Sequence, residues 1–268
     1  MAPGLGINNS GEVVLSSYFY SHGMLTAFPA GFRGEAINAS GHVSGFYMGG
    51  TAIYYDGTVT PLPDPPDGYP IANYAAPAIN DSDAVLINYA INFIQTFTDL
   101  YSNGTLTSIA NGCTAQAIND SAVITGTCGS YLFIADATAN SAQTNLGIRG
   151  GANAINASDE VTGSETSPST GAFLWSHGKV TVLPNTANCA GNGINTSGFV
   201  VGTCPGTAFF YNSTTSDLND RVSSSDPLKP YVTLTDARGI NDNGLLIVNG
   251  TDSRDHLGHA YLMQLQLI

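Results

Sequence analysis

The chain has 268 residues, only 10% of them charged, and its 20 acidic against 7 basic side chains give a formal net charge of -13. That balance disfavours nucleic acid and anionic membranes as partners, since both need basic patches. The most apolar stretch, AVLINYAINFIQTF (84–97), is broken by Asn and Gln and falls short of the roughly 18 apolar residues of a membrane span, so no transmembrane helix is expected.

The opening residues, MAPGLGIN, lack the basic and then apolar regions of a signal peptide. The expectation is the mature form of an exported protein. A hairpin motif then begins at once: GINNSG, AINASG, AINDSD, AINDSA, AINASD, GINTSG and GINDNG follow one another along the chain. Their isoleucines are Ile7, Ile37, Ile79, Ile118, Ile155, Ile194 and Ile240, spaced by 30, 42, 39, 37, 39 and 46 residues. A period of this size marks a solenoid or a propeller.

Asn at the first turn position can bond its own backbone, and Gly at the fourth accepts positive φ without a Cβ clash. Where Asp83, Ala122 and Asp159 replace that Gly, a strained turn or another turn type is expected. Positions one and three before each isoleucine are always Gly or Ala, as in Gly34 and Ala36 or Ala115 and Ala117. Such small residues suit a strand crowded by its neighbours, and the crowded strand of a propeller is the one nearest the axis.

In chain order, the first repeat is short, because VVLSSYFYSHGMLTAFP joins its second and third strands directly. The second ends in a Pro-rich loop, PLPDPPDGYPIANY (61–74), whose Tyr69 and Tyr74 are the aromatics least explained by packing. The fourth and sixth each carry two cysteines: Cys113 and Cys189 lie five residues before their isoleucines, Cys128 and Cys204 ten after. With a four-residue loop, Ile118 faces Val123 and Cys113 faces Cys128. Two cross-strand disulfides follow, Cys113 to Cys128 and Cys189 to Cys204, provided the Cα atoms come within about 7 Å. They would imply an oxidising compartment; a zinc site or four free thiols are the other readings.

The fifth and sixth repeats show the full unit. AFLWSHG runs into KVTVLP, and CAGNGINTSGFVVGTCPGTAFFYN supplies a small-residue strand, the turn and two further strands. Four strands per period is a propeller blade. A second long connection, NDRVSSSDPLKPY (219–231), precedes the last repeat, which ends at GHAYLMQLQLI without a clear fourth strand. The expectation is therefore an all-β, single-domain propeller over 1–268, of seven four-stranded blades. The last blade is either incomplete on its outer edge or closed by chain from the other end. A six-bladed ring or an open solenoid is the alternative.

The residues GIN, VVG and AFLW, and above all the segment 217–262 with SDLND and TLTDARGINDNGLLIVNGTDSRDHLGHAYLM, resemble the bacterial extracellular HAF-repeat family. The resemblance covers all seven repeats. The family's motif His is matched by His259, whereas Gly171 stands at that place in TGAFLW. The resemblance implies export and a propeller-like fold, and it implies no reaction.

No nucleophile elbow, Walker loop, His-Glu-x-x-His or Gly-rich dinucleotide turn occurs. His22 and His177 fall in turns between third and fourth strands, and His256 and His259 make a weak metal pair. The scaffold leaves the position two before each isoleucine free to vary; it holds Glu35, Gln116, Asn153, Asn192 and Arg238 among others, with Arg33 and Asp236 four before. On innermost strands these would line the central channel. Glu35, Asn153, Asn192 and Asp236 offer oxygen ligands suited to Ca²⁺, which would support a hydrolase of esterase or lactonase type. The competing reading pairs Glu35 with Arg33 and Asp236 with Arg238 as a structural plug. A binding or scaffold module for glycans or cell-surface polymers needs no such site and is the preferred function; an open blade edge would also permit self-association. Nine Asn-x-Ser/Thr sites, six of them at the hairpin turns, would be glycan acceptors in an organism that glycosylates exported proteins.

Overall fold

The computed structural model describes residues 3–64, 71–91, 95–138 and 143–265. It is all-β, with 62% strand and 2% helix. Strands β1 (Gly4–Ile7), β2 (Val13–Leu15), β3 (Tyr18–Ser21) and β4 (Met24–Ala27) form the first antiparallel meander, and β5 (Phe32–Ile37), β6 (Val43–Tyr47), β7 (Gly50–Tyr55) and β8 (Thr58–Pro61) the second. The third is β9 (Ile71–Ile79), β10 (Val85–Ile91), β11 (Gln95–Ser102) and β12 (Thr105–Asn111).

The next two repeats share one seven-stranded sheet: β13 (Cys113–Ile118), β14 (Val123–Cys128), β15 (Tyr131–Asp136), β16 (Thr144–Ile155), β17 (Val161–Ser167), β18 (Gly171–Ser176) and β19 (Lys179–Val182). They fuse because β16 is one continuous strand. Its first half pairs with β15 and its second half with β17, so it closes one repeat and opens the next. Gly150 allows the crossing: its φ is +146°, and a Cβ there would stand 1.8 Å from the Ser164 carbonyl oxygen.

The sixth repeat is β20 (Ala190–Ile194), β21 (Val200–Cys204), β22 (Thr207–Tyr211) and a short β23 (Thr215–Asp217), followed by the one-turn α1 (Leu218–Arg221). The last sheet holds three strands, β24 (Val232–Ile240), β25 (Leu245–Asp252) and β26 (Leu257–Gln264). Among the described residues no strand from the start of the chain joins it. Of the two expected endings, an incomplete outer edge is the one observed.

Each hydrophobic core lies between consecutive repeats. Val14 and Phe28 pack on Val43 and Tyr54, Phe133 on Leu86 and Ile118, Phe209 on Ala172 and Ile194, and Phe210 on Leu234 and Leu246. Val13 and Leu15 pack on Ile247, so the first repeat is also seated on the last. The small residues of the first strands are required by this packing. A Cβ on Gly34 would come 2.5 Å from the Val14 side chain, and one on Gly191 2.1 Å from Thr162, each in the preceding repeat's second strand. Ala76, Ala115, Ala152 and Ala237, at the equivalent position, are fully buried.

The register departs from expectation in one instructive way. Ile118 faces Ile124 rather than Val123, so the turn is one residue longer than a four-residue loop. The register then shifts between Ala115 and Ala117, and beyond that bulge Cys113 faces Cys128 as expected. Bulge and longer loop cancel. Both disulfides form, Cys113–Cys128 and Cys189–Cys204, each with a Cα separation of 4.2 Å. The same bulge recurs at Leu5, Glu35, Asn153, Asn192 and Arg238. It also explains a second-strand glycine: Cβ atoms on Gly45, Gly126, Gly163 and Gly202 would lie about 2 Å from a first-strand carbonyl oxygen (2.0, 2.1, 1.9 and 2.0 Å).

Candidate functional site

The seven hairpin turns meet around one shallow cavity of about 250 Å³, lined by each isoleucine, its following asparagine and the residue after that. Every turn asparagine is buried. The Oδ1 atom of Asn119 accepts from Ser121 N and Val123 N, at 3.1 and 2.9 Å, and the others repeat this pattern within their own turns. Each Nδ2 donates to the backbone oxygen of the next turn's asparagine: Asn8 to Asn38, Asn38 to Asn80, Asn80 to Asn119, Asn119 to Asn156, Asn156 to Asn195, and Asn195 to Asn241. Asn241 then donates to the Asn8 oxygen at 3.0 Å, and the cycle returns to its start.

A carboxylate completes the second donor of four of these amides, from either of two sources. Glu12 and Glu160 serve Asn8 and Asn156 from within the same repeat, each lying over the following repeat's Gly41 or Gly198. Asp83 and Asp159, standing where those glycines stand, serve Asn38 and Asn119 from the following repeat. The replaced turns keep their type: Asp83, Ala122 and Asp159 have φ of 60°, 58° and 61°. Above this ring, backbone N–H groups of Ala39, Asp81 and Thr196 donate to the carboxylates of Asp81, Asp120 and Asp242 one repeat on. Partial burial pushes Asp242 upward, but bonds from Thr196 and Asn9 outweigh it and hold its pKa below the usual carboxylate value. This mouth is consumed by scaffold bonding. Since the ring amides are buried and engaged, those six Asn-x-Ser sites are not glycan acceptors in the folded chain.

The bulge residues bridge first strands. The Glu35 carboxylate accepts from Ala76 N at 2.6 Å, and burial, only partly offset by that bond, raises its pKa. Asn153 donates to the Gly191 oxygen at 2.9 Å, and Asn192 donates to the Ala237 oxygen and to Asp236. Asp236 is saturated: Oδ1 takes Thr203 and Asn192, while Oδ2 takes Asn249 and Arg238 Nε, the last at 2.5 Å. The Asp236–Arg238 half of the expected plug is present, whereas Glu35 turns to Ala76 rather than to Arg33. Gln116 and Arg33 are exposed. Among the described residues no three His, Cys, Asp or Glu side chains come together at metal-binding distance.

Of the loop tyrosines, Tyr69 lies outside the described residues. Tyr74 sits at the base of the Pro-rich loop, half-buried, with its hydroxyl 3.3 Å from Asp64 Oδ1. Burial first, and then the Asp64 charge, push its pKa up to about 12. Its ring leans on Tyr89 at 6.3 Å, and Tyr89 stacks on Phe97 at 5.3 Å. An aromatic face beside an exposed carboxylate is the chemistry that grips a sugar ring and its hydroxyls. The turn histidines match their reading: His22 and His177 have φ of 50° and 49° in Ser-His-Gly hairpins, and each ring bonds its neighbouring serine. His259 pairs with Asp255 at 2.8 Å.

Sequence reasoning marked the 219–231 connection as the second long loop where binding could reside, but not the groove of about 580 Å³ between it and β26. Leu218, the first residue of α1, is buried, and Asn219 clamps Leu234 by donating to its oxygen and accepting from its nitrogen. This fixes the connection against β24 and leaves the groove outside it. The unpartnered edge of the last repeat was the available signal.

No family model matches the chain, and no curated protein does. Among solved structures the chain is similar to the extracellular domain of a hybrid two-component system from B. thetaiotaomicron. The identity is 12% and the TM-score 0.58, over 99% of this chain and 38% of that one, so this chain spans well under half the length of that neighbour. It is also similar to the β-propeller domain of the Trilobed protease from Pyrococcus furiosus, a domain with an open velcro topology, at 10% identity and a TM-score of 0.55 over 99% and 82% of the two chains. At these identities the likeness shows the fold: this is a β-propeller-like all-β chain.

Proposed function

We propose that the chain is an exported, single-domain propeller of seven blades that acts as a binding module for glycans or cell-surface polymers. The cycle of seven asparagine bonds supports the blade count, since each link joins one repeat to the next and the last returns to the first. Two disulfides and neighbours that include an extracellular domain support export. The resemblance to HAF-repeat proteins, carried by the motif residues, agrees with both.

The observation that carries the ligand class is the pairing of Tyr74 with Asp64 at the mouth of the Pro-rich loop. Loops on a rigid scaffold are where binding resides. The test is a glycan array, followed by titration calorimetry of the best hit. Tyr74→Ala and Asp64→Ala should each weaken binding at least tenfold, since losing a stacking ring or charged acceptor costs about 1–3 kcal/mol. No binding at millimolar glycan, or binding indifferent to both substitutions, refutes the reading.

The second reading, a Ca²⁺-dependent esterase or lactonase with its site in the channel, is favoured by the half-buried carboxyl of Glu35 beside Ala76. A cation there would draw on Glu35, Asn153, Asn192 and Asp236. At Asp236 it would have to displace Arg238 and three other donors.

A further inference from the structure

The last sheet ends one strand short, on a long edge. The outer strands β4, β8 and β19 are four residues long, β23 three and β12 seven, whereas β26, only the third strand of its sheet, presents eight, LGHAYLMQ, with no Lys, Arg or Pro to guard it. Long unguarded edges invite another strand, and proteins otherwise shorten or charge them. Leu265 N donates to Gly244 O at 3.0 Å, and β26 pairs with β25 without a register shift. Because inward and outward groups alternate along an antiparallel strand, the N–H and C=O of Gly258, Ala260, Leu262 and Gln264 point away from β25.

The groove adjoins this edge. One wall is formed by five consecutive residues, Tyr261 to Leu265, and consecutive strand residues alternate faces, so that wall takes in the backbone of β26 along its edge, while Val232 and Leu234 of β24 line the groove from the core side. The facing wall offers Val222 and Leu228, together with Arg221, Lys229 and Asp226. Among the described residues neither Arg221 nor Lys229 has a carboxylate within ion-pair distance, although acids outnumber bases 20 to 7 in the chain. Arg221 is held with its guanidinium 4.8 Å over the Phe210 ring. The Tyr261 hydroxyl behind this wall is buried and has no hydrogen-bond partner among the described residues.

We propose that the β26 edge and its groove bind an extended, anionic polypeptide segment, which adds as the fourth strand of the last sheet while Arg221 and Lys229 hold its carboxylates. The backbone edge supplies affinity and the cations choose the partner. A second copy of the chain fits less well, because its β26 brings no acidic residue to meet Arg221 and Lys229. This site is separate from the Tyr74 surface and stands or falls independently of it.

The test uses a fluorescein-labelled, end-capped octapeptide of alternating Val and Glu, with binding followed by anisotropy at physiological salt. The expected result is saturable binding that weakens at least tenfold in Arg221→Gln/Lys229→Gln and in Ala260→Pro. The proline removes an outward N–H while leaving the ladder to β25 intact, and the double charge variant covers the case in which the proline perturbs folding. N-methylation of alternate peptide nitrogens should abolish binding in one phase and spare it in the other. Equal binding of both N-methylated peptides, or of a Val-Lys peptide, overturns the proposal. So does a dimer of the free protein in sedimentation that Ala260→Pro returns to monomer, which would make the edge a self-interface.

Discussion

Replacing Asn119 by Ala removes four hydrogen bonds from a buried side chain: two accepted from Ser121 N and Val123 N, one donated to the Asn156 oxygen, and one donated to Asp159 Oδ1 at 2.7 Å. Neutral bonds contribute about 1 kcal/mol net and bonds to a charge about 1.5–3. The sum is roughly 5 kcal/mol, lowered to about 3–5 because water reaches the exposed residue Ser121. Asn195 makes the same two turn bonds and one interblade bond, at 3.3 Å to Asn241, with no carboxylate partner among its bonds. Asn195→Ala should therefore cost about 2–3 kcal/mol. Urea unfolding followed by Trp175 fluorescence measures both, and an Asp159→Gly background isolates the carboxylate's share as a coupling energy. In that background Asn119→Ala should fall to the Asn195 value. Equal costs at the two positions, or a cost below 1 kcal/mol at Asn119, would refute the account of the ring as interblade bonding.

Three further outcomes are expected. Burial raises the Glu35 pKa above its usual 4.5, so the stability that its protonated form contributes is complete below that pH and is lost as pH rises through the raised value. Glu35→Gln should accordingly match the parent's melting temperature near pH 4 and exceed it at pH 7; the reverse order would refute the sign. Each disulfide spans 15 residues, and cross-linking such a loop contributes about 3 kcal/mol. Paired Cys→Ser substitutions should cost up to that amount in chemical denaturation, less where the Asn turn already restrains the hairpin. Under the binding-module reading, EDTA and added Ca²⁺ leave the melting curve unchanged, and a chelator-sensitive shift would transfer the site to the channel.

Much of this was legible in the chain because the repeats compare with one another. Small residues before each isoleucine reported crowding, and the matched offsets of Cys113 and Cys128 reported a cross-strand pair. The Asn turns were read correctly but only halfway. Their Oδ1 partners lie two and four residues away, whereas their Nδ2 partners lie 30 to 46 residues on, or 233 residues back, where no local pattern points. A trace of the missing half existed: Glu12 precedes a repeat with Gly41, and His42 precedes one with Asp83. That exchange of a carboxylate between two positions is what a shared site across an interface produces. The polar bulge residues looked free because each escapes the strand ladder, yet Glu35, Asn153 and Asn192 are bound to the neighbouring first strand. The groove was half legible: the long 219–231 connection and the missing fourth strand could both be read from the chain, but their packing side by side could not.

The seam between first and last repeats decides between a closed disc and an open solenoid. It has no strand exchange among the described residues, but it carries the Asn241–Asn8 bond, a reciprocal pair between Asn9 and Asp242, and another between Asn249 and the Gly4 backbone. Under the seven-bladed reading these bonds stand in for the pairing that a shared outer strand would provide, so that the β26 edge stays open while the ring closes. An open array frays from its ends, so loosening the first repeat would split its unfolding from the rest. A closed ring has no end to fray. Asn9→Ala/Asn249→Ala should therefore lower the melting temperature while keeping a single calorimetric transition whose van't Hoff and calorimetric enthalpies agree. A separate low-temperature transition in that variant, with the native-like remainder unfolding at the parent's temperature, would show that the first repeat is an end and that the seam does not close the disc.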